Sequence, residues 1–389
     1  MAKTTEAVVI GGGVMGASIL YNLALRGVQG PVLLERDTLG SGSTGRSSGF
    51  IRMHYSTAVN TELALKSYPY FINFNEIVGG EVSFVKTGYL VIAPPESIGG
   101  LEHNVSIQKS VGVDTDIISV REARELVPGF VLKEDEGFAW EPGSGHADPS
   151  GTAIAYSSRA RELGAYVALE SPALDVETSG GRVVAVKTEK ERYETPIAVV
   201  ATGPWSPRFL PKLGLDLPLE ATRHEVFLLK RPPDPVPAHP GVADLSNLTY
   251  FRQEGSDLTL LGNGNVEDVV DPDNYNPRPG MDHLQDLWVR LTKRVPAMES
   301  AEFFTGFAGL YTSTPDLHPI VDKVDGVEGL YVCTGFSGHG FKLAPAVGIV
   351  MSELILDGEA KTVDITPLRI SRFAEGDLNP ITYKFRVIA

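Results

Sequence analysis

The chain has 389 residues, 42% hydrophobic and 21% charged, with a formal net charge of −15. This is the make-up of an ordinary globular protein of two domains or one large composite, and so acidic a balance argues against a nucleic-acid partner, which needs a basic surface. One cysteine, Cys333, leaves no intramolecular disulfide and fits a reducing compartment, the cytoplasm; no apolar run approaches the roughly 20 residues of a membrane span, and no secretory signal is read ahead of the first apolar stretch.

That stretch, Ala7-Val8-Val9-Ile10, reads as a short buried strand. It enters Gly11-Gly12-Gly13-Val14-Met15-Gly16 and a helix ending near Arg26, and a second apolar run, Val32-Leu33-Leu34, closes on Glu35. Strand, glycine-rich turn, helix and strand, with an acid about 20 residues on, form a dinucleotide-binding unit. Gly11 permits the tight turn, Gly13 lets the backbone approach a pyrophosphate, and Gly16 lets helix and strand pack closely. Val14 and Met15 within the turn count among the cofactor contacts, and the free N–H groups and positive end of the helix that follows favour phosphate. Glu35 offers acceptors to ribose hydroxyls, with Arg36 beside it.

The loop 40–49 is built of small and hydroxylated residues. It is either a flexible connector or a segment lying along the cofactor through Ser43, Thr44, Arg46 and Ser47. An amphipathic helix is expected over 57–78 and a strand containing Gly88 over 82–92. Ser119-x-x-Glu122 is a capping box for a short helix ending before Pro128. After a turn-rich stretch at 143–151, a helix is expected over 152–163, then a hairpin turning near 189–191. Ala198-Val199-Val200-Ala201-Thr202-Gly203 is a second buried strand ending in glycine. Short β stretches at 225–229 and 258–261 flank proline-rich loops at 232–240 and 272–279, and a helix is expected over 281–294. A third buried strand at 329–334 meets Gly335-Phe336-Ser337-Gly338-His339-Gly340 and a helix over 343–356. Two strand–glycine–helix junctions suggest a ligand longer than a lone nucleotide, held by a domain assembled from three separate segments.

The chain resembles the D-amino-acid-oxidase-like flavoprotein superfamily, closest to sarcosine oxidases, the sarcosine oxidase β subunit and glycine oxidase. The resemblance rests on 11–35, Gly42-Ser43-Thr44 with Ile51-Arg52, Ala201-Thr202-Gly203-Pro204-Trp205-Ser206, Thr314-Pro315-Asp316 and Gly335-Phe336-Ser337-Gly338-His339-Gly340-Phe341-Lys342. It implies FAD and a composite α/β plus α+β fold. A discontinuous Rossmann-like FAD-binding domain (1–50, 145–210 and 306–365) carries an inserted antiparallel-sheet substrate domain (51–144 and 211–305), followed by a C-terminal tail at 366–389. Ala201, Thr202, Gly203, Trp205, Gly338, Gly340, Phe341 and Lys342 join the expected cofactor contacts.

By the same resemblance, Arg52 and Lys342 fall where these enzymes grip a substrate carboxylate, and Tyr311 and His339 where substrate-side residues approach the flavin. Tyr250 is a further candidate, with core packing as its plain alternative. Where some relatives bind flavin through cysteine this chain has Gly309, and where others carry Trp-His it has Gly45-Arg46, so noncovalent FAD is expected. Leu260 or Leu261 stands where a lysine near flavin N5 activates oxygen, which favours a dye, quinone or protein acceptor over O₂. The implied reaction is oxidation of the C–N bond of an amino acid or N-alkyl amino acid, sarcosine-, glycine- or proline-like, by hydride transfer to N5 with later imine hydrolysis. A hydroxy-acid or glycerol-phosphate oxidoreductase on the same fold, or a flavin-binding subunit of a larger dehydrogenase, is the alternative. No metal is expected, and the oligomeric state is open.

Overall fold

The computed structural model describes residues 3–232, 236–264 and 266–383. The tail's 384–389 and positions 233–235 of the expected proline-rich loop lie outside them. Three distant stretches of chain meet in one six-stranded sheet, in the order Tyr166–Ala168, Val32–Leu34, Val8–Ile10, Ala198–Val200, Leu330–Thr334, Ile320–Lys323. The first five run parallel and the last antiparallel. Parallel strands need covered faces, and the residues comply. Val9, Leu33, Val199 and Cys333 point into a cluster with the helices Val14–Leu25, Pro149–Glu162 and Gly340–Asp357. Val8, Ile10, Val32 and Val200 point the other way, onto a layer whose strands Ala173–Ser179, Arg182–Thr188 and Arg192–Glu194 supply Val176, Val186 and Tyr193.

An eight-stranded sheet forms the second lobe, in the order Glu302–Ser313, Glu220–Lys230, Leu258–Gly262, Thr249–Glu254, Gly241–Asp244, Tyr89–Ala93, Gly137–Glu141, Asp116–Ile118. It is not wholly antiparallel as expected, because Gly241–Asp244 runs parallel to Tyr89–Ala93. Helix Met281–Arg294, bounded as its amphipathic pattern predicts, buries Leu284, Leu287 and Leu291 against one face. Its Arg294 is anchored by two buried carboxylates, Glu136 at 2.6 Å and Asp244 at 2.7 Å. The opposite face presents Tyr89, Tyr250 and Leu260 together with Phe50.

Several expected boundaries move. The helix read over 57–78 is two, Ala58–Ile72 and Phe74–Ile77, broken at Asn73. The strand read over 82–92 divides at Gly88, whose φ of +76° turns the chain. Val85–Lys86 then pairs with Gly145–His146, and Tyr89–Ala93 joins the large sheet. A Cβ at Gly88 would lie 1.9 Å from the Trp140 ring. The 152–163 helix starts earlier, at Pro149, a favourable first-turn residue; the 343–356 helix starts at Gly340. The stretch expected over 225–229 lies in the second half of the longer strand Glu220–Lys230, whose neighbour Glu302–Ser313 carries no strand pattern in the sequence. The capping box at Ser119 forms as expected, with Ser119 Oγ accepting from Glu122 N–H and the Glu122 carboxylate accepting from Ser119 N–H.

Candidate functional site

Strand Val8–Ile10 ends on Gly11, whose φ is +116° and whose Cβ would sit 2.3 Å from the Ala201 carbonyl. No side chain fits there. Gly16 faces backward, where a Cβ would lie 1.9 Å from the Gly11 carbonyl oxygen, so it sets the helix close on the turn. Gly13 is different, since a Cβ there would meet only Thr44 Oγ1, at 3.3 Å. Its open side is a cavity. The Val14 N–H at the helix start donates to that Thr44 hydroxyl at 3.0 Å. Glu35 accepts from Gly12 N–H at 2.6 Å and from Asp37 N–H at 2.8 Å, which fixes its carboxylate beside the cradle.

The cavity, about 640 Å³, runs along these parts. Gly11, Gly13, Val14, Met15, Glu35 and Arg36 form one wall; Ser43, Thr44, Arg46 and Ser47 of the 40–49 loop form another. That loop is docked, because Ser43 Oγ donates to the Leu310 carbonyl at 2.6 Å and Arg46 donates to the Ser41 carbonyl. Ala201, Thr202, Gly203 and Trp205 close a third side, and Gly338, Gly340, Phe341 and Tyr311 the inner end. Gly16 and Lys342, expected at the cofactor, do not line it. At the mouth sits a group the sequence reading missed. Asp273 accepts from Trp205 Nε1 at 2.7 Å, Arg36 at 2.8 Å and Arg208 at 2.6 Å. The Arg36 guanidinium also lies 4.7 Å from the Trp205 ring. Side-chain-free backbone, helix amides, a fixed carboxylate and a long cavity together suit an extended dinucleotide.

Arg52, Tyr250, His339 and Lys342 do not line the cavity. They lie in a buried cluster beside it, Lys342 next to the wall residue Phe341 in the chain and Arg52 and Tyr250 near the wall residue Tyr311. The Arg52 guanidinium is 4.7 Å from the Tyr55 ring and 5.9 Å from the Tyr89 ring. Lys342 Nζ is 5.9 Å from the same Tyr55 ring, and His339 meets that ring edge-on at 5.6 Å. Three of the named residues therefore converge on Tyr55, which no sequence signal marked. Burial drives the Lys342 ammonium well below its ordinary value, Arg52 adds repulsion, and buried Glu141 opposes both. Tyr311 borders the cavity and stacks on His224 at 3.7 Å. Tyr250 packs edge-on against Phe50 at 5.8 Å, and burial pushes its phenol up to about 12. Burial also pulls His224 down to about 3, with Arg223 adding to it, so the ring is neutral.

Two of the departures from the pattern of the resembled family gain surroundings. A Cβ at Gly309 would lie 2.9 Å from both Arg46 Cβ and His224 Cε1. Leu260 faces the Phe50 and Tyr250 side, whereas Leu261 is buried on the opposite face. The cross-strand neighbour of Leu260 is Arg252, whose guanidinium is engaged by Glu254 at 2.5 Å and the Ser48 carbonyl at 2.9 Å. Among the described residues no cluster could hold a metal ion, and no helix is long and apolar enough to cross a membrane.

Comparison with known proteins gives a consistent result. The family model for FAD dependent oxidoreductases, DAO, matches residues 6–354. FAD-dependent oxidoreductase domain-containing protein 1 of Bos taurus is 30% identical over 96% of this chain and 86% of its own length. The mitochondrial sarcosine dehydrogenase of Mus musculus is 28% identical over 96% of this chain, which spans 42% of that protein. The crystal structure of L-proline dehydrogenase from P. horikoshii superposes with a TM-score of 0.89, at 30% identity, covering 97% of this chain and 100% of that one.

Proposed function

We propose that this chain, which belongs to the DAO family of FAD-dependent oxidoreductases, oxidises the C–N bond of an amino acid or N-alkyl amino acid of sarcosine, glycine or proline type. The observation that carries this reading is the convergence of Arg52 and Lys342, 5% and 6% exposed, on one tyrosine ring beside the cavity. Two buried cations against one buried carboxylate, Glu141, leave a positive charge to be met, and a substrate carboxylate meets it through charge-assisted hydrogen bonds.

Gly11, Gly13 and the first turn of the Val14–Leu25 helix would hold the pyrophosphate, and Glu35 the ribose. The 40–49 loop, 201–205 and 338–341, which also contribute residues to the cavity wall, would enclose the rest of the cofactor. When bound, the flavin supplies the two-electron acceptor for the substrate's Cα hydride. Arg52 and Lys342 fix the carboxylate and so orient the Cα–H. Tyr250 and Tyr311, both kept as neutral phenols by burial, bring no competing charge and can donate hydrogen bonds. The start of helix Gly340–Asp357, at Gly340 and Phe341 in the cavity wall, favours negative charge there. The amine reacts as the free base, and no side chain is assigned as its base. We divide the chain as the resemblance implies, a cofactor domain of 1–50, 145–210 and 306–365 and a substrate domain of 51–144 and 211–305, with a tail from 366. The change at 306 falls inside the continuous strand Glu302–Ser313. Buried Cys333 suits a reducing compartment such as the cytoplasm.

The test is anaerobic bleaching of the flavin by a panel of amino acids, N-methyl amino acids and hydroxy acids. Bleaching by amino acids is expected. Bleaching by hydroxy acids alone would transfer the site to that class, and no bleaching by the isolated chain would favour a subunit that needs a partner. Reduced enzyme is then mixed with air-saturated buffer or an artificial acceptor. With Leu260 on the site's face and Arg252 neutralised by Glu254, reoxidation by O₂ is expected to be the slower. Equal rates would make the protein an oxidase.

The flavin would be held without a covalent bond. Gly309 has neither a thiol nor room for a side chain, and Gly45-Arg46 replaces the other attachment. Acid precipitation is expected to leave yellow FAD in the supernatant, and colour retained in the pellet would refute this.

A further inference from the structure

Glu141 ends the strand Gly137–Glu141 opposite Tyr89, one of the rings beside Arg52. Its side chain is 1% exposed. One oxygen, Oε2, accepts from Met53 N–H at 2.9 Å and Ser144 Oγ–H at 2.7 Å, so the residue next to Arg52 helps to hold it. The other, Oε1, is buried without a hydrogen-bond partner among the described residues. His54 Nδ1 stands 3.8 Å from it, but burial and Arg52 pull that imidazole down to about 3, so it brings no charge. Tyr55 and Tyr89 also face the carboxyl and stay neutral, burial raising both phenols. The charges that Glu141 meets are those of Arg52 and Lys342. A carboxylate oxygen left so deep without a donor is costly unless cations offset it.

We propose that Glu141 is the internal counter-ion of the Arg52–Lys342 pair and makes the site selective for substrates that bring a single carboxylate. This rests on the carboxylate-binding reading of the two cations. With both cations charged and Glu141 ionised, the cluster carries one net positive charge, which one carboxylate neutralises. Burial works against both charges, and the opposite charges of the cluster work for them. A second carboxylate drawn to the same buried cluster would lack a partner there. Removing the charge of Glu141 adds one positive charge to the site and should admit that second carboxylate. Glu141 acts here as a specificity-determining and positioning residue, through the two cations that touch the substrate.

The experiment titrates flavin-loaded wild type, Glu141→Gln and Glu141→Asp with sodium propionate and sodium malonate, followed by the visible absorbance of the flavin. Wild type is expected to bind propionate at least tenfold more tightly than malonate. Glu141→Gln should shift that ratio at least tenfold toward malonate, and Glu141→Asp, which keeps the charge, should retain the wild-type preference. An unchanged ratio in Glu141→Gln, with propionate binding intact, would overturn the counter-ion role alone. No propionate binding in wild type would overturn the carboxylate reading and this proposal with it. If Glu141→Gln takes up no flavin, the other two proteins decide. A wild type indifferent to the second carboxylate, or a Glu141→Asp that prefers malonate, refutes the proposal.

Discussion

Arg52→Ala and Lys342→Ala are each expected to weaken binding of a carboxylate-bearing substrate by about 2–4 kcal/mol, because removing one half of a buried cationic clamp strands the other charges. That is far beyond the roughly 0–1 kcal/mol of an exposed ion pair. The structure makes the Arg52 change the more damaging to the site's shape. Its guanidinium lies over Tyr55 and near Tyr89 and donates to the His54 carbonyl, so packing is lost with the charge. Lys342 has a looser tie, 3.4 Å from Nζ to the His339 carbonyl. With its ammonium pulled down by burial and by Arg52, its contribution depends on protonation. Carboxylate affinity should fall as pH rises through the pKa that Lys342 has in the empty site, and Lys342→Met should flatten that part of the profile. The discriminating measurement uses the decarboxylated amine as a second substrate. It should react poorly with wild type and be insensitive to either substitution; equal losses on amine and amino acid would remove the clamp role.

Gly16→Ala is the second large effect expected. The new methyl would lie 1.9 Å from the Gly11 carbonyl oxygen, so helix Val14–Leu25 must move off the strand that aims it. Overpacking of this kind costs roughly 1–3 kcal/mol in stability, and displaced helix amides lose the phosphate. Both the melting temperature of the flavin-free protein and the affinity for FAD should fall, the latter by about tenfold for each 1.4 kcal/mol of binding energy lost. Gly13→Ala is the informative contrast. Its methyl meets only Thr44 Oγ1, at 3.3 Å, so the empty protein should melt like wild type while FAD binding weakens. Equal effects of the two substitutions on the empty protein would mean that Gly13, too, is a packing glycine.

Both glycines belong to a motif that is local in the chain. The spacing of Gly11, Gly13 and Gly16 between two apolar runs, and Glu35 after the second, is local information, and the turn, helix and sheet pairing follow it closely. The same is true of helix Met281–Arg294, whose apolar positions repeat on one face, and of the Ser119 capping box, which acts across three residues. The residues of the proposed clamp were legible through the motifs of the family the chain resembles, and the structure brings Arg52, Lys342 and His339 to one ring.

Tertiary structure alone decided the rest. Strand Glu302–Ser313 has solvent-facing Phe303 and Phe304 and glycines at 306 and 309, so it lacks the alternation that marks a strand. It forms because Glu220–Lys230 pairs with it along its length. Gly88 splits an apparent strand because Trp140, from a distant segment, fills the space where its side chain would be. Tyr55 and Glu141 gave no signal, since an aromatic or an acid in a sequence carries no mark of burial. Their meaning comes from desolvation, which acts only once strand, helix and loop have closed around them. Only then does a carboxylate 1% exposed beside two buried cations become a feature of the site's charge.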